Sequence, residues 1–256
     1  MFITHNEIII SYSRRVEPQN FVAARNYFRE IYNETIEIYK RNNLSSVISF
    51  EDCFMIMHYT DYGFERIRDE TDEGRQMRNA FYRLAIVQSK DPKKYHRSIL
   101  YRGQDELNTW YKERYRVNET EKLIRFTSTT SDEAVAIKYA QLRNNATNMT
   151  STVYEMYFPK PFLSANIEKI AENEHNKETV LLPGTQLFVN NRTKRELPKS
   201  RIFKRIGSNF YYIFDGVDLT INVTHVDNSS YFEQQKEVMI KLKELKASDT
   251  KFYVDC

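Results

Sequence analysis

The spacing of apolar residues changes once along this chain, at Pro92, and that change restricts it to folds in which helices precede a sheet. Before Pro92 the apolar positions recur every three or four residues. Phe21, Ala24, Phe28, Ile31 and Ile38 mark one face of a helix over Phe21 to Arg41, with charged residues between them. Ser49 ahead of Phe50-Glu51-Asp52 reads as an N-cap before acidic first-turn residues, and Phe54 and Met57 share a face of the helix that follows. A third stripe, Met77, Phe81, Leu84 and Val87, spans Asp72 to Ser89. Asp91-Pro92 closes it, because the residue before a proline is pushed out of helical conformation.

Beyond Pro92 short β-branched and aromatic runs take over, at Ile99 to Tyr101, Leu123 to Thr127, Thr152 to Phe158, Thr179 to Leu182, Gln186 to Val189 and Phe210 to Phe214. Helical patterns interrupt them at Leu107 to Arg114 and Asp132 to Leu142, so the class is α+β. A helical N-terminal part followed by two small, packed, mainly antiparallel sheets is expected. A last helix over Tyr231 to Lys246 sets Val238, Leu242 and Leu245 on one side. With no repeat or linker to divide it, the chain reads as a single domain over 1–256: a helical part to residue 95, a β-rich core from 96 to 225, and a C-terminal helix and tail from 226.

Composition excludes several classes. With 41% hydrophobic and 14% aromatic residues among 256, the chain can build a core and is not a disordered tail. A net charge of +3 marks neither a nucleic-acid nor a membrane protein by itself. No run approaches the ~18 apolar residues of a membrane span, and Met1 to Asn6 lacks the basic start and apolar run of a signal peptide. A cytoplasmic protein with no membrane partner is therefore expected. Cys53 and Cys256 have no zinc-chelating spacing, so free thiols and no metal are expected. Asn-x-Ser/Thr sequons at Asn33, Asn43, Asn118, Asn145, Asn148, Asn191, Asn222 and Asn228 are discounted as chance in a chain rich in these residues.

Three short elements of the β-rich half carry chemistry together. They are Tyr101-Arg102-Gly103, then Phe126-Thr127-Ser128-Thr129-Thr130, then Glu178 opening Thr179-Val180-Leu181-Leu182-Pro183-Gly184-Thr185. Arg102 offers a planar fork of donors suited to phosphate, and Gly103 admits a close approach to the backbone. Ser128 and Thr130, two apart on a strand, face one way, and their hydroxyls can orient a carboxylate while Thr129 points to the other side. Glu178 is the natural carboxylate. Beside a ribose it can hold a sugar hydroxyl and stabilise the oxocarbenium-like centre that forms when a glycosidic bond breaks.

In this order the three elements resemble the Arg-Ser-Glu class of mono-ADP-ribosyltransferases, which includes bacterial toxins and bacteriophage enzymes. The resemblance implies NAD as co-substrate, nicotinamide as leaving group and an ADP-ribosyltransferase-like fold. It implies catalytic roles for Arg102, Ser128 and Glu178. Tyr101, Arg102, Gly103, Ser128, Thr129 and Thr130 would bind NAD, with Arg102 on its phosphate and ribose and the Gly103 backbone on its carboxamide. The helix over Asp132 to Ala140 is similar to the family's alanine-rich helix, and Glu51 to Arg68, with Tyr59-Thr60-Asp61-Tyr62-Gly63, to the helical region before its first strand. The class that opens on a His-Gly pair is disfavoured, since no histidine here precedes a glycine.

The departure lies at Asn176. Arginine-modifying members carry a second glutamate there, and an amide cannot act as a base at neutral pH, although its carbonyl can accept a hydrogen bond from a nucleophile. Glu172 or Glu174 would have to fold back to fill the gap. Downstream, a basic stretch over Asn190 to Arg205 reads either as a solvated loop or as a strip for an acidic partner. Asn176, Arg192, Lys194 and Arg195 are thus candidate acceptor-binding residues. A protein side chain and a nucleic-acid base both remain open as acceptor, and an inhibitor or antitoxin protein is a possible partner. Water as acceptor, which makes an NAD glycohydrolase, and an NAD-binding module without chemistry are the alternatives.

Overall fold

The computed structural model describes residues 21–140, 149–171, 174–194, 201–206, 209–214, 217–226 and 229–250. Met1 to Asn6, Cys256 and the sequons at Asn145, Asn148 and Asn228 lie outside them. By its contacts the chain divides into two compact units, Met1–Val87 with Lys169–Glu174 and Leu242–Cys256, and Gln88–Glu168 with His175–Lys241.

The first unit is helical, as the periodicity predicts. It contains α1 (Phe21–Arg41), α2 (Phe50–His58) and α3 (Asp72–Gln88). Ile31 and Ile38 of α1, Phe54 and Met57 of α2, and Met77, Phe81 and Leu84 of α3 are buried. Ser49 caps α2 by accepting a hydrogen bond from the Asp52 amide at 3.1 Å. Asp52 does more than favour the helix start, because its buried carboxylate is gripped by both ends of the Arg83 guanidinium. A π-helical turn, Tyr59–Gly63, follows α2. Next to it the buried His58 ring meets Glu73 at 2.6 Å, and Arg66 donates to both Glu73 oxygens at 3.1 Å. Burial pushes the Glu73 carboxyl up, but His58 and Arg66 outweigh it and hold the group below its ordinary range. Cys53 is a free, buried thiol, and burial pushes it up to about 12.

The second unit opens with α4 (Pro92–Tyr95) and β1 (Ile99–Leu107). There follow α5 (Asn108–Arg114), β2 (Thr120–Lys122), β3 (Thr127–Thr130), α6 (Glu133–Ala140), β4 (Met149–Tyr157), β5 (Ser164–Asn166), β6 (Glu178–Leu181) and β7 (Gln186–Lys194). The hairpin strands β8 (Arg201–Ile206) and β9 (Asn209–Phe214), then β10 (Leu219–His225) and the part of α7 (Tyr231–Thr250) up to Lys241, complete it, the rest of α7 belonging to the first unit. The expected α+β class holds. The sheet is laid out differently from two separate small ones: eight strands form one sheet in the order β2-β7-β10-β4-β1-β3-β6-β5, apart from the β8–β9 hairpin. Pairing is antiparallel except between β10 and β4.

That single sheet is nonetheless almost cut in two. β1 pairs with β4 along its full nine residues, from Ile99↔Tyr157 to Leu107↔Met149. To β3 it is joined by Tyr101↔Thr130 alone. Beyond Tyr101 no further β1–β3 pairing follows among the described residues.

Leu123 to Phe126, expected as strand, is a connection instead. Leu123 exchanges backbone hydrogen bonds with Gly184 and Thr185, and the chain then crosses from β2 at one edge of the sheet to β3 beyond β1. β5 and β10 escaped the sequence reading because Ser164-Ala165-Asn166 and the Thr- and Asn-bearing Leu219 to His225 have little apolar run, although β10 alternates strictly between buried and half-buried positions. Leu100, Tyr154, Met156, Phe158, Leu181, Leu187, Val189, Leu219, Ile221 and Val223 make the main core of this unit. No helix among the described residues is long and apolar enough to cross a membrane.

Candidate active site

The site is assembled where β1, β3 and β6 meet. β3 is short and made of Thr-Ser-Thr-Thr, residues that suit an extended backbone. It pairs with β6 through Thr127↔Leu181, Ser128↔Val180, Thr129↔Thr179 and Thr130↔Glu178. Alternation then puts Ser128, Thr130 and Glu178 on one face and Thr129 on the other. There the buried Thr129 hydroxyl donates to the Thr179 carbonyl at 2.5 Å, tying the strands together.

On the first face the Ser128 hydroxyl hydrogen-bonds the Glu178 carboxylate. Burial among protein atoms raises the Glu178 carboxyl above its ordinary value, while that hydrogen bond and the positive charge of Arg102 pull the other way. The residual shift is upward. A carboxylate held at some electrostatic cost is disposed to welcome a positive charge developing beside it.

Arg102 stands one residue past the last β1–β3 bridge, and its guanidinium reaches β3. Nη1 donates to the Ser128 carbonyl at 2.7 Å and Nε to Gln104 Oε1 at 2.9 Å. Gln104 in turn donates to the Tyr154 hydroxyl at 3.0 Å. Tyr154 is buried, and burial, with Tyr115 and Tyr111 beside it, holds its phenol well above the ordinary range despite the opposing Arg102 charge. Two hydrogen bonds thus fix the plane of the guanidinium, and its Nη2 end makes none among the described residues. An arginine so held presents a preset donor face to a phosphate.

Gly103 is required by packing. A Cβ there would lie 1.7 Å from the Ala136 carbonyl oxygen and 2.7 Å from the Ala140 nitrogen, both backbone atoms of α6. The helix therefore lies directly on β1, and the space a side chain would need is filled by protein. Tyr101 packs beside it on Ala136, Ala140, Val153 and Val217.

Thr130 is placed differently from Ser128. Its hydroxyl donates to the Asn176 carbonyl at 2.6 Å and accepts from the Asp132 amide at 3.0 Å, so it ties the turn after β3 to the segment entering β6. The Ser131 amide donates to the Lys177 carbonyl at 3.3 Å, and Lys177 Nζ lies 3.1 Å from Asp132 Oδ2. Lys177 holds a left-handed φ of 45°. The Asn176 side chain donates from Nδ2 to the Tyr139 hydroxyl at 3.1 Å. Glu174 begins the turn Glu174–Asn176, and Glu172 lies outside the described residues.

Of the basic stretch, Arg192 and Lys194 sit on β7 opposite Ile221 and Leu219 of β10. Arg195 lies outside the described residues, and β8 and β9 are described by backbone alone. Sequence reasoning missed Gln104 and Tyr139. Gln104 was findable, since it lies two residues from Arg102 and so on its side of the strand. For Tyr139, an exposed tyrosine on a helix, no signal existed. Among the described residues no group of three or more His, Cys, Asp or Glu side chains could hold a metal ion.

The sequence matches no protein-family model and no curated protein. The fold is similar to that of the type III effector XopAI from Xanthomonas axonopodis pv. citri, at a TM-score of 0.54 and 14% identity over 88% of this chain and 84% of that one. Two ADP-ribosyltransferases align more loosely. HopU1 of Pseudomonas syringae pv. Tomato DC3000 gives a TM-score of 0.48 and 13% identity over 78% of this chain and 87% of its own. The Vis toxin of Vibrio splendidus gives 0.45 and 13%, over 79% and 88%.

Proposed function

We propose that this protein is an NAD-dependent mono-ADP-ribosyltransferase of the Arg-Ser-Glu class, an effector or toxin that moves ADP-ribose onto a macromolecule in a host or bacterial cytosol. The observation that carries the reading is the Glu178 carboxylate, bonded by the Ser128 hydroxyl and facing the charge of Arg102 at the mouth of the β1–β3 split. Arg102 binds the NAD pyrophosphate with its unoccupied end, while Gln104 and the Ser128 carbonyl keep the fork planar to the cleft. Tyr101, Thr129 and Thr130 serve NAD binding by holding the two strands and the turn that frame it. The Gly103 backbone, on the cleft edge of β1, meets the nicotinamide carboxamide.

The bond from ribose C1′ to the nicotinamide nitrogen then breaks, and its electron pair leaves with nicotinamide. Positive charge builds on the ribose, where Glu178 stabilises it and anchors a ribose hydroxyl. A nucleophile aligned by Asn176 attacks C1′, giving up its proton. The amide at 176 favours acceptors other than arginine, and Arg192, Lys194 and Arg195 would draw an acidic surface, so protein and nucleic acid both stand as acceptors.

The decisive experiment supplies adenylate-labelled NAD and a cell extract, measures nicotinamide release, and digests the products separately with protease and nuclease. Macromolecular label is expected, lost in Glu178→Gln. Label removed by nuclease alone identifies a nucleic acid. Nicotinamide release with no macromolecular label would make the protein a glycohydrolase, and NAD binding without release would make it a binding module.

A further inference from the structure

Arg102 can only donate from Nε, so the Gln104 atom that meets it at 2.9 Å is fixed by chemistry as the amide oxygen. The nitrogen end of that amide points the other way and donates to the Tyr154 hydroxyl at 3.0 Å, so both ends of Gln104 are committed. Having accepted that bond, the Tyr154 oxygen must direct its own proton elsewhere. Tyr154 and Thr152 face Arg102 and Gln104 across the β1–β4 register, and α5 brings Tyr111 to the same place. All three hydroxyl-bearing residues are buried, and neither the Tyr111 nor the Thr152 oxygen is in a well-formed hydrogen bond with a described residue. Burial pushes the Tyr111 phenol up to about 12 and holds that of Tyr154 well above its ordinary value, so both keep their protons. What remains free is the direction in which each O–H points.

We infer that Tyr154 is a positioning residue for Arg102: with its own O–H directed to Tyr111, its oxygen accepts from Gln104 and so keeps the Gln104 oxygen turned to the guanidinium. This rests on the reading above of Arg102 as the NAD phosphate ligand. Were the Tyr154 O–H turned to Gln104 instead, the amide would have to reverse, and its NH2 group would meet the Arg102 Nε–H, donor against donor. The guanidinium would then keep only its bond to the Ser128 carbonyl and could swing about it. Tyr154 and Tyr111 need not touch NAD to matter. A fork whose plane is already set gives up less freedom when a phosphate arrives, and that saving appears as affinity.

The test is calorimetric titration of NAD into the full chain, with the hydroxyl removed and the ring kept. In Tyr154→Phe the Kd for NAD should rise about fivefold, as for a typical single hydrogen bond, and the KM for nicotinamide release should rise with it while kcat moves less. Gln104→Glu supplies the control, because a carboxylate has two like ends and meets Arg102 with an oxygen whichever way it stands. In that background Tyr154→Phe should change the Kd by about twofold at most. An equal loss in both backgrounds is a packing effect and overturns the inference, and so does an unchanged Kd in Tyr154→Phe alone. Exchange of the Arg102 Nε proton, followed by NMR without ligand, reads the same bond independently of NAD. It should quicken in Tyr154→Phe, and equal rates in parent and variant overturn the inference. A parent that binds no NAD would instead overturn the reading of Arg102 as a phosphate ligand, while the proton exchange would still decide the direction of the amide.

Discussion

Gly103→Ala is the smallest change that tests how the cleft is held, since it adds one methyl group to β1. The new carbon would sit 1.7 Å from the Ala136 carbonyl oxygen, whereas carbon and oxygen approach to about 3.3 Å at closest. α6 must withdraw by roughly 1.6 Å to restore that separation. Both obstructing atoms are helix backbone, so no side chain can swing aside. Withdrawal loosens Ala136 and Ala140 from Val153 and Val217, and overpacking of this kind costs about 1–3 kcal/mol or more. At roughly 2–4 °C per kcal/mol for a unit of this size, thermal unfolding should fall by several degrees and by up to about 12 °C. Differential scanning calorimetry on the two proteins measures it. The opposite sign is available to refute the reasoning: Gly103 does not need a positive φ, so with room for a methyl the substitution would stabilise by about 0.4–1 kcal/mol through the unfolded chain. An unchanged or raised midpoint would mean that α6 does not lie on β1 as described.

Arg102→Lys should weaken NAD binding in calorimetric titration, because an ammonium cannot span Gln104, the Ser128 carbonyl and a phosphate together; unchanged affinity would return Arg102 to a purely structural part. Glu178→Gln should lower nicotinamide release by ~10²-fold or more while leaving NAD affinity largely intact, and near-parental turnover would remove Glu178 from the mechanism. The raised Glu178 carboxyl also fixes two signs of pH dependence. Activity should fade as pH drops through a point above the ordinary glutamate value of about 4.3. Stability should decline as pH rises from that ordinary value through the raised one, because the folded state there binds the proton more tightly than the unfolded chain, and Gln should flatten this slope in parallel melts across pH. Glu73 has the reverse sign. Its lowered carboxyl contributes stability above the ordinary value that is lost as pH falls through the lowered one, and Glu73→Gln should cost about 1–3 kcal/mol in urea unfolding at neutral pH, where no loss would deny the His58–Glu73–Arg66 cluster any role.

What the sequence made legible was local. The 3.6-residue stripe gave α1 its bounds, and Ser49 and Asp91-Pro92 marked helix ends, because caps and proline act within a turn of where they stand. The order Arg102, Ser128, Glu178 was readable because each residue announces its own chemistry. Register was not readable: nothing in Thr127 to Thr130 says that it pairs with Glu178 to Leu181 or touches β1 at one residue only. The same limit hid the different use of Ser128 and Thr130. Both carry hydroxyls on one face, yet Thr130 lies beside the turn and is taken up by Asn176 and Asp132, which depends on chain geometry 46 residues away. Gly103 illustrates a further limit, since a glycine kept for a helix and a glycine kept for a ligand look alike in a sequence.

The order of the strands has a consequence for the company this sheet can keep. Its terminal strands, β2 and β5, are only three residues long, and the overhanging end of β7 carries Arg192 and Lys194. Short and cationic margins discourage another chain from adding itself to the sheet. The inner margin of β1, from Arg102 to Leu107, has no β3 partner in the register of the described residues. The sheet is thus short and charged at its rims, while along β1 it leaves backbone groups that no β3 residue pairs with.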